Sequence, residues 1–536
     1  MTLRSLLLLV RKHEGDILSL LCLALFSVGA YFFSALVSEP DNLYHIAHAS
    51  LYRAQGIFTT AFPWDSVSVF RQYQSDVWYG FHLFLTPFIQ GTNYSIAIES
   101  AGASMLFALA ATFYFILKKL GIRAPLFWTF FLFFSNAHEL RMMASMRPHV
   151  LISLLAALFV YALAFRKSRK ILFFIAVSFS FIELSMLWVP VVIFCLTYSC
   201  EKISLFLKTR DIGATFKDEL VLKLEDCLAI LLGLALGASM RPNPVAGLHL
   251  FYTQIIYFAV EKFKGVPLPF GVELYPLRGF EIFVALPLIG AFLVAGVIWL
   301  RKTLPEGHSK GVSRFVDFSF WISSFFLLIA LVSAERALDF FSLFAVLCIA
   351  TVWHIYGEEW VVLTQTQKKC ILLLMAGLVI LSPFFLFFSK TATNGVYVDE
   401  NKQAALWLES HSNEGDIVAH FSFADFPGLF LWNKKNHYVN HADPIFQHAF
   451  NPDLDKRYLC AYYYVDEEIL SNKKIQNYCL EEPYSDALLY QIIKNDFHAR
   501  YVFLGRYVND SVRTYFENQL TVKLVWSDSS SVIYEL

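Results

Sequence analysis

The sequence predicts a polytopic α-helical membrane protein of about eleven spans, with an α/β domain at the C-terminal end, outside the membrane. Three observations predict it. First, 57% of the 536 residues are hydrophobic and only 16% are charged, whereas soluble domains carry about a quarter charged residues. Second, apolar runs near the ~20 residues needed to cross a hydrocarbon layer recur from the N-terminus to about residue 390. Third, residues 396–536 change character and become mixed, charged and turn-rich.

Spans are expected near 17–37, 95–117, 124–136, 149–165, 171–183, 184–199, 226–240, 280–300, 315–333, 338–356 and 370–389. The segment from Ile17 to Val37 is too long for a signal-peptide core, and no small-residue cleavage site follows it, so it reads as a retained first span. The stretch from Ile171 to Cys200 is too long for one upright helix. Glu183 and Pro190 within it suggest two short helices meeting at an outer turn.

Lys and Arg are distributed unevenly among the loops. With the N-terminus inside, the inner loops hold clusters such as Lys118, Lys119 and Arg123, then Arg166, Lys167, Arg169 and Lys170. The outer loops before residue 390 are poorer in Lys and Arg, and most of their cations are Arg. Such a bias places the N-terminus in the cytoplasm and the C-terminal domain outside it. The domains expected are 1–390, with a large first outer loop at 38–94, and 391–536. In the latter, strands are expected at Ile417–Phe423, Arg500–Gly505 and Thr521–Glu535, and helices near 400–411, 484–496 and 510–519. Cys460 and Cys479, the two cysteines of this domain, suggest a disulfide in an oxidising compartment, against the alternative of two buried thiols.

The polar residues of the outer loops carry the chemistry. Glu39 and Asp41 follow the first span and precede an amphipathic helix that holds His45 and His48. Asp65, Arg71, Asp76 and His82 come next, interleaved with Trp64, Tyr73, Trp78 and Tyr79. Aromatics at this depth suit a membrane interface. A carboxylate held there is partly desolvated, so its pKa can be tuned for proton abstraction. Helix capping competes with that role for Asp41. Arg147, Arg241 and Arg336 each sit where an apolar span meets an outer loop. An Arg there either pairs with a carboxylate, Glu335 or Asp339 for Arg336, or holds an anion through its planar fork. Asp41, His45 and His48 fall at helical spacing and could hold a divalent metal, although a polar helix face accounts for them better. The chain has no Walker-type loop and no GxGxxG after a strand, so no nucleotide is expected. A net charge of −1 gives no footing for nucleic acid.

On these residues the sequence resembles the GT-C superfamily of polytopic glycosyltransferases. The resemblance rests on acid-x-Asp-x-x-Tyr-His-x-x-x-Ala-x-x-Leu-x-x-x-Gly from Glu39 to Gly56, and on the stretch from Ser75 to Phe88 with its Gly80-Phe81-His82-Leu83. Arg147-Pro148-His149, Ala405-Leu406-Trp407-Leu408 and Gly415-Asp416-Ile417-Val418 add to it. The resemblance implies transfer of a sugar from a polyprenyl-(di)phosphate donor to an envelope glycan, lipid or protein acceptor on the outer face. It implies Asp41 as general base, with Asp76, Glu39 or Asp65 as a second acid. Arg147, Arg241 and Arg336 would face the lipid phosphate, with His45, Arg71 and His82 as further substrate-binding candidates. Pro40 separates Glu39 from Asp41, a departure from members with an adjacent Asp-Glu pair. The Trp-Trp-Asp signature of oligosaccharyltransferase catalytic subunits is missing, so transfer of an N-glycan is not expected. A lipid-linked glycan transporter and a non-catalytic subunit of an envelope glycan complex are the competing readings.

Overall fold

The computed structural model describes residues 14–34, 39–135, 142–143, 145–209, 220–301, 309–357, 398–439, 443–467, 472–480, 485 and 487–536. The chain forms two compact units, neither of them continuous in sequence. One comprises residues 1–36, 98–237 and 271–394; the other comprises 37–97, 238–270 and 395–536.

The first unit is helical. Ten of the eleven expected spans coincide with helices, and the eleventh, 370–389, lies outside the described residues. Among the described residues five helices are long and apolar enough to cross a membrane: Glu14–Tyr31, Tyr94–Lys119, Glu281–Arg301, Lys310–Val332 and Glu335–Tyr356. Their outward positions are apolar. Leu18, Leu21, Leu25 and Val28 are exposed on the first, and Leu286, Leu293, Val297 and Leu300 on the third. A water-soluble surface would not carry such stripes, and acyl chains cover them without cost.

The helix Leu338–Tyr356 forms the centre of this unit, with Phe341, Leu343, Phe344, Val346 and Leu347 wholly buried. It packs most extensively against Lys310–Val332 and Phe280–Arg301. The break expected around Glu183 is present. One helix ends at Ile182, a 3₁₀ turn spans Leu184–Met186, and the next helix starts at Trp188. The Ser185 hydroxyl donates to Glu183 Oε1 at 2.7 Å. Gly237 brings the helix Leu220–Ser239 so close to Arg169–Ile182 that an added Cβ would lie 2.2 Å from the Val177 carbonyl oxygen. Small residues permit such approaches between apolar helices, where area burial alone gives little preference.

The second unit is built on a five-stranded sheet of order β2-β1-β3-β5-β4. The strands are β1 (Ile417–His420), β2 (His437–Tyr438), β3 (Ala499–Leu504), β4 (Lys523–Ser527) and β5 (Val532–Glu535). β1 runs parallel to β2 and β3, whereas β5 is antiparallel to both β3 and β4. The single strand expected over Thr521–Glu535 is a hairpin. Asp528 Oδ1 accepts from the backbone N–H groups of Ser530 and Ser531 at 2.7 and 2.8 Å, an Asx-type turn that reverses the chain. The helix expected over 484–496 starts at Leu488 and finishes in a π-helical turn, Ile492–Asp496. Cys460 and Cys479 form a disulfide, as expected.

The loop that follows the first span packs with this sheet. Asp65 forms a parallel bridge with Tyr438, the Tyr438 N–H donates to the Trp64 carbonyl at 2.7 Å, and the Ser66 N–H donates back to the Tyr438 carbonyl at 2.8 Å. The Trp64 indole N–H donates to the Lys434 carbonyl at 2.6 Å. Residues of the first loop thus extend the β2 edge, which would otherwise leave backbone groups unpaired.

Candidate active site around Asp76

The helix Pro40–Gln55 carries half of the site. Pro40 occupies its first turn, where a missing N–H costs nothing, and Gly56 ends it at φ 97°. Glu39, not Asp41, is the N-cap residue, and its side chain makes no capping bond. Asp41 therefore lies in the first helical turn, half-buried. Tyr44, His48 and Tyr52 recur every four residues and share one face, with His45 beside them. All four are buried.

That face meets the loop and short helix around Asp76 and His82. Asp76 Oδ2 accepts from the Tyr52 hydroxyl at 2.7 Å and from His82 Nδ1 at 2.6 Å, while Oδ1 accepts from the Trp78 N–H at 2.8 Å. His48 Nε2 stands 3.7 Å from the same Oδ2, and its ring stacks on that of His82 with centroids 4.3 Å apart. The network continues outward on both sides. His82 Nε2 is 2.8 Å from His45 Nδ1, and His48 Nδ1 is 3.1 Å from the Tyr44 hydroxyl.

Burial by itself would raise the Asp76 pKa. The neighbouring His82 and His48 and the hydrogen bonds from His82 and Tyr52 outweigh it and hold the carboxyl below its ordinary range. Burial lowers His48 to about 3, so its imidazole is neutral. Burial raises Tyr52 well above an ordinary phenol, and the facing Asp76 adds to the effect. Asp65 is fully buried, and its pKa is raised by that burial against the opposing effects of Ser68 and the charge of Arg71, an exposed residue.

Arg241 approaches from the segment 238–270. Its Nη1 donates to the Asp76 carbonyl at 2.7 Å and to the Val77 carbonyl at 3.3 Å. Burial brings its pKa down to about 10. Asn243, in the left-handed region at φ 50°, donates through Nδ2 to the Gln74 carbonyl at 2.9 Å. Arg241-Pro242-Asn243 thereby clamps the backbone that presents Asp76. A small cavity opens beside the carboxylate, lined by His48, Tyr52, Phe62, Asp76, Tyr79 and Pro242 among others.

In the other unit, Arg147 and Arg336 converge on a single carboxylate. Arg147 Nη1 donates to Glu273 Oε2 at 2.8 Å, and Arg336 Nη1 lies 3.7 Å from Oε1. Burial opposes ionisation of Glu273, but the two guanidinium charges prevail and hold it at about 2. Arg147 is almost wholly buried, whereas the Arg336 side chain keeps about a quarter of its surface open (27%).

The structure thus brings together Asp76, His82, His45 and Arg241 in one unit, and Arg147 with Arg336 in the other. Three participants were not singled out from the sequence as site residues: Tyr44, Tyr52 and Glu273. For the tyrosines the signal was available, since Tyr44, His48 and Tyr52 repeat at one helical face. Glu273, 126 residues from Arg147, carried no local signal.

No protein-family model matches the sequence, and no curated protein does. The fold, however, matches solved structures along almost the whole chain. ArnT from Cupriavidus metallidurans, solved bound to undecaprenyl phosphate, superposes with a TM-score of 0.54 at 12% identity, over 97% of this chain and 98% of that one. The archaeal oligosaccharyltransferase AglB from Archaeoglobus fulgidus, in complex with an inhibitory peptide and a dolichol-phosphate, gives 0.58 at 10% identity, over 92% and 70%. The arabinofuranosyltransferase AftD from Mycobacteria gives 0.53 at 12% identity; the match covers 96% of this chain but 39% of AftD. The chain is a multi-pass membrane protein with the GT-C fold. That fold is shared with glycosyltransferases acting at membranes, the class that the Glu39–Gly56 pattern resembles.

Proposed function

We propose that this protein is a glycosyltransferase that takes a sugar from a polyprenyl-(di)phosphate donor and transfers it to an envelope glycan, lipid or protein acceptor on the outer face of the membrane. The observation that carries the reading is the match of fold along nearly the whole chain to ArnT, a structure solved with undecaprenyl phosphate. AglB, solved with a dolichol-phosphate, supports the same donor class. The N-terminus lies inside and the C-terminal domain outside, on the Lys/Arg bias of the loops.

Asp41 is the general base. Its half-buried position in the first turn of Pro40–Gln55 leaves it reachable. Asp76, which accepts from Tyr52, His82 and the Trp78 N–H, positions the histidines. Glu39 and Asp65 remain the candidate second acids. Arg336, the more open of the two arginines at Glu273, binds the lipid phosphate, with Arg147 held beside it. Arg241 contributes by fixing the Asp76 loop.

In the reaction the acceptor oxygen attacks the anomeric carbon as Asp41 takes its proton. The bond from that carbon to the phosphate oxygen breaks, and the lipid phosphate leaves as an anion beside arginine charge. The configuration at the anomeric carbon inverts. The test is turnover by the purified protein of a panel of polyprenyl-phosphate sugars, read as acceptor-dependent release of free polyprenyl phosphate. Release with at least one donor is expected. Intact transit of the lipid-linked glycan across proteoliposomes, with no bond broken, would overturn the reading in favour of a transporter.

A further inference from the structure

We infer that Glu273 occupies the place of the donor phosphate between Arg147 and Arg336 and is displaced when that phosphate binds, so that it sets how tightly the site grips a lipid phosphate. The inference rests on the reading of Arg336 as a phosphate ligand and deepens it. A carboxylate and a phosphate each present two oxygens to guanidinium groups, and the planar fork of arginine suits both. Glu273 uses its two oxygens in that way, with Oε2 on Arg147 at 2.8 Å and Oε1 towards Arg336 at 3.7 Å.

Two features distinguish this from an ordinary structural ion pair. The first is that its two arms are unequal. The Arg147 arm is a hydrogen bond, whereas the Arg336 arm is too long for one. Among the described residues Arg336 makes no hydrogen bond, and its buried Nε has no acceptor. A guanidinium carries five N–H donors, so Arg336 can take an anion that fits it better than Glu273 does. The second is the way the carboxylate is mounted. The Tyr275 carbonyl accepts from the Glu335 N–H at 2.7 Å, and the Leu277 N–H donates to the Ala330 carbonyl at 2.9 Å. The chain just after Glu273 is thus tied to the segment that carries Arg336. The Glu273 side chain, 20% exposed, can turn out and return without that loop unfolding.

Displacement has a consequence for turnover. The lipid phosphate that leaves ends in a monoester whose second ionisation lies near pH ~6, so it carries more negative charge than the donor did. Two arginines alone would hold this product more tightly than the donor. The returning Glu273 carboxylate competes for them and favours release.

The experiment measures binding of a polyprenyl monophosphate to the purified full-length protein in detergent, for wild type, Glu273→Gln and Arg336→Ala. Glu273→Gln keeps the size and one acceptor oxygen but removes the charge. It should tighten binding about tenfold, since hydrogen bonds between charged groups are about twice as strong as neutral ones. It should also lower the melting temperature of the unliganded protein, whereas loss of a merely structural residue would lower stability and affinity together. Affinity unchanged or weakened in Glu273→Gln, with Arg336→Ala weakened about tenfold or more, would overturn the inference and leave the phosphate at Arg336. Unchanged affinity in Arg336→Ala would overturn the phosphate assignment itself, and the inference with it. Should Glu273→Gln fail to fold, a structure of the wild type with the polyprenyl monophosphate decides. Phosphate oxygens on both arginines, with Glu273 turned away, is the result expected; phosphate bound beside an intact Arg147–Glu273 bond would overturn it.

Discussion

His82 Nδ1 lies 2.6 Å from Asp76 Oδ2, and the same oxygen takes the Tyr52 hydroxyl at 2.7 Å. Two donors on one buried carboxylate oxygen join the first-loop helix to the segment that follows it. Removing either donor therefore has a measurable cost.

Tyr52→Phe deletes one hydrogen bond to a charged group, and a loss of about 1.5–3 kcal/mol is expected. Asp76→Asn should cost more, because Asn offers donors where Tyr52 and His82 already donate. Denaturant unfolding followed by tryptophan fluorescence compares the two. Equal stability of Asp76→Asn and wild type would show that the network is not a structural hub.

Glu273 is held at about 2 against about 4.5 for an ordinary glutamate. A depressed carboxylate contributes stability above its unfolded pKa and loses it as pH falls through its folded one. Stability should thus decline between about pH 4.5 and 2, by roughly 3 kcal/mol at most. Glu273→Gln should flatten this part of the acid profile while lowering the plateau at pH 7, where the negative charge between Arg147 and Arg336 is lost. Melting temperature against pH for both proteins measures it.

Asp425 shows the opposite sign. It is buried, and burial raises its pKa to about 7, against a hydrogen bond from Asn401. A raised carboxyl favours folding most below its unfolded pKa of about 3.8, and that contribution disappears as pH rises through 7. Asp425→Asn should therefore be near neutral at pH 4 and stabilising at pH 8, by up to about 4 kcal/mol. A melting temperature at pH 8 below that of wild type would contradict the assignment.

The disulfide Cys460–Cys479 closes a segment with a sequence separation of 19. Cross-linking a loop of that size stabilises by about 3 kcal/mol through the unfolded chain. Cys460→Ser, or treatment with reductant, should lower the unfolding midpoint of the second unit accordingly. An unchanged midpoint would mean that packing alone holds the helices Pro452–Val465 and Lys473–Cys479.

The helical spans were legible because crossing a bilayer demands long apolar runs, and the break at Glu183 was legible because it interrupts one. The cysteine pair was legible from its isolation in a polar segment. β2 was not, since His437–Tyr438 has two residues and no alternation to read. Nor was the pairing of Asp65 with Tyr438, a backbone contact across 373 positions that no local pattern encodes. At the site, His45, Asp76, His82 and Arg241 were named from sequence. Their arrangement around one carboxylate came from tertiary packing. Glu273 was not legible, because it lies 126 residues from Arg147 and no local spacing links the two.

The most direct test of the central claim separates donor binding from donor turnover in Asp41→Asn. A purified wild-type protein should bind a polyprenyl-phosphate sugar and release free polyprenyl phosphate when an acceptor is added. Asp41→Asn should bind the donor with unchanged affinity and turn it over at least about 100-fold more slowly, the scale expected for loss of a general base. Turnover within twofold of wild type would contradict the account.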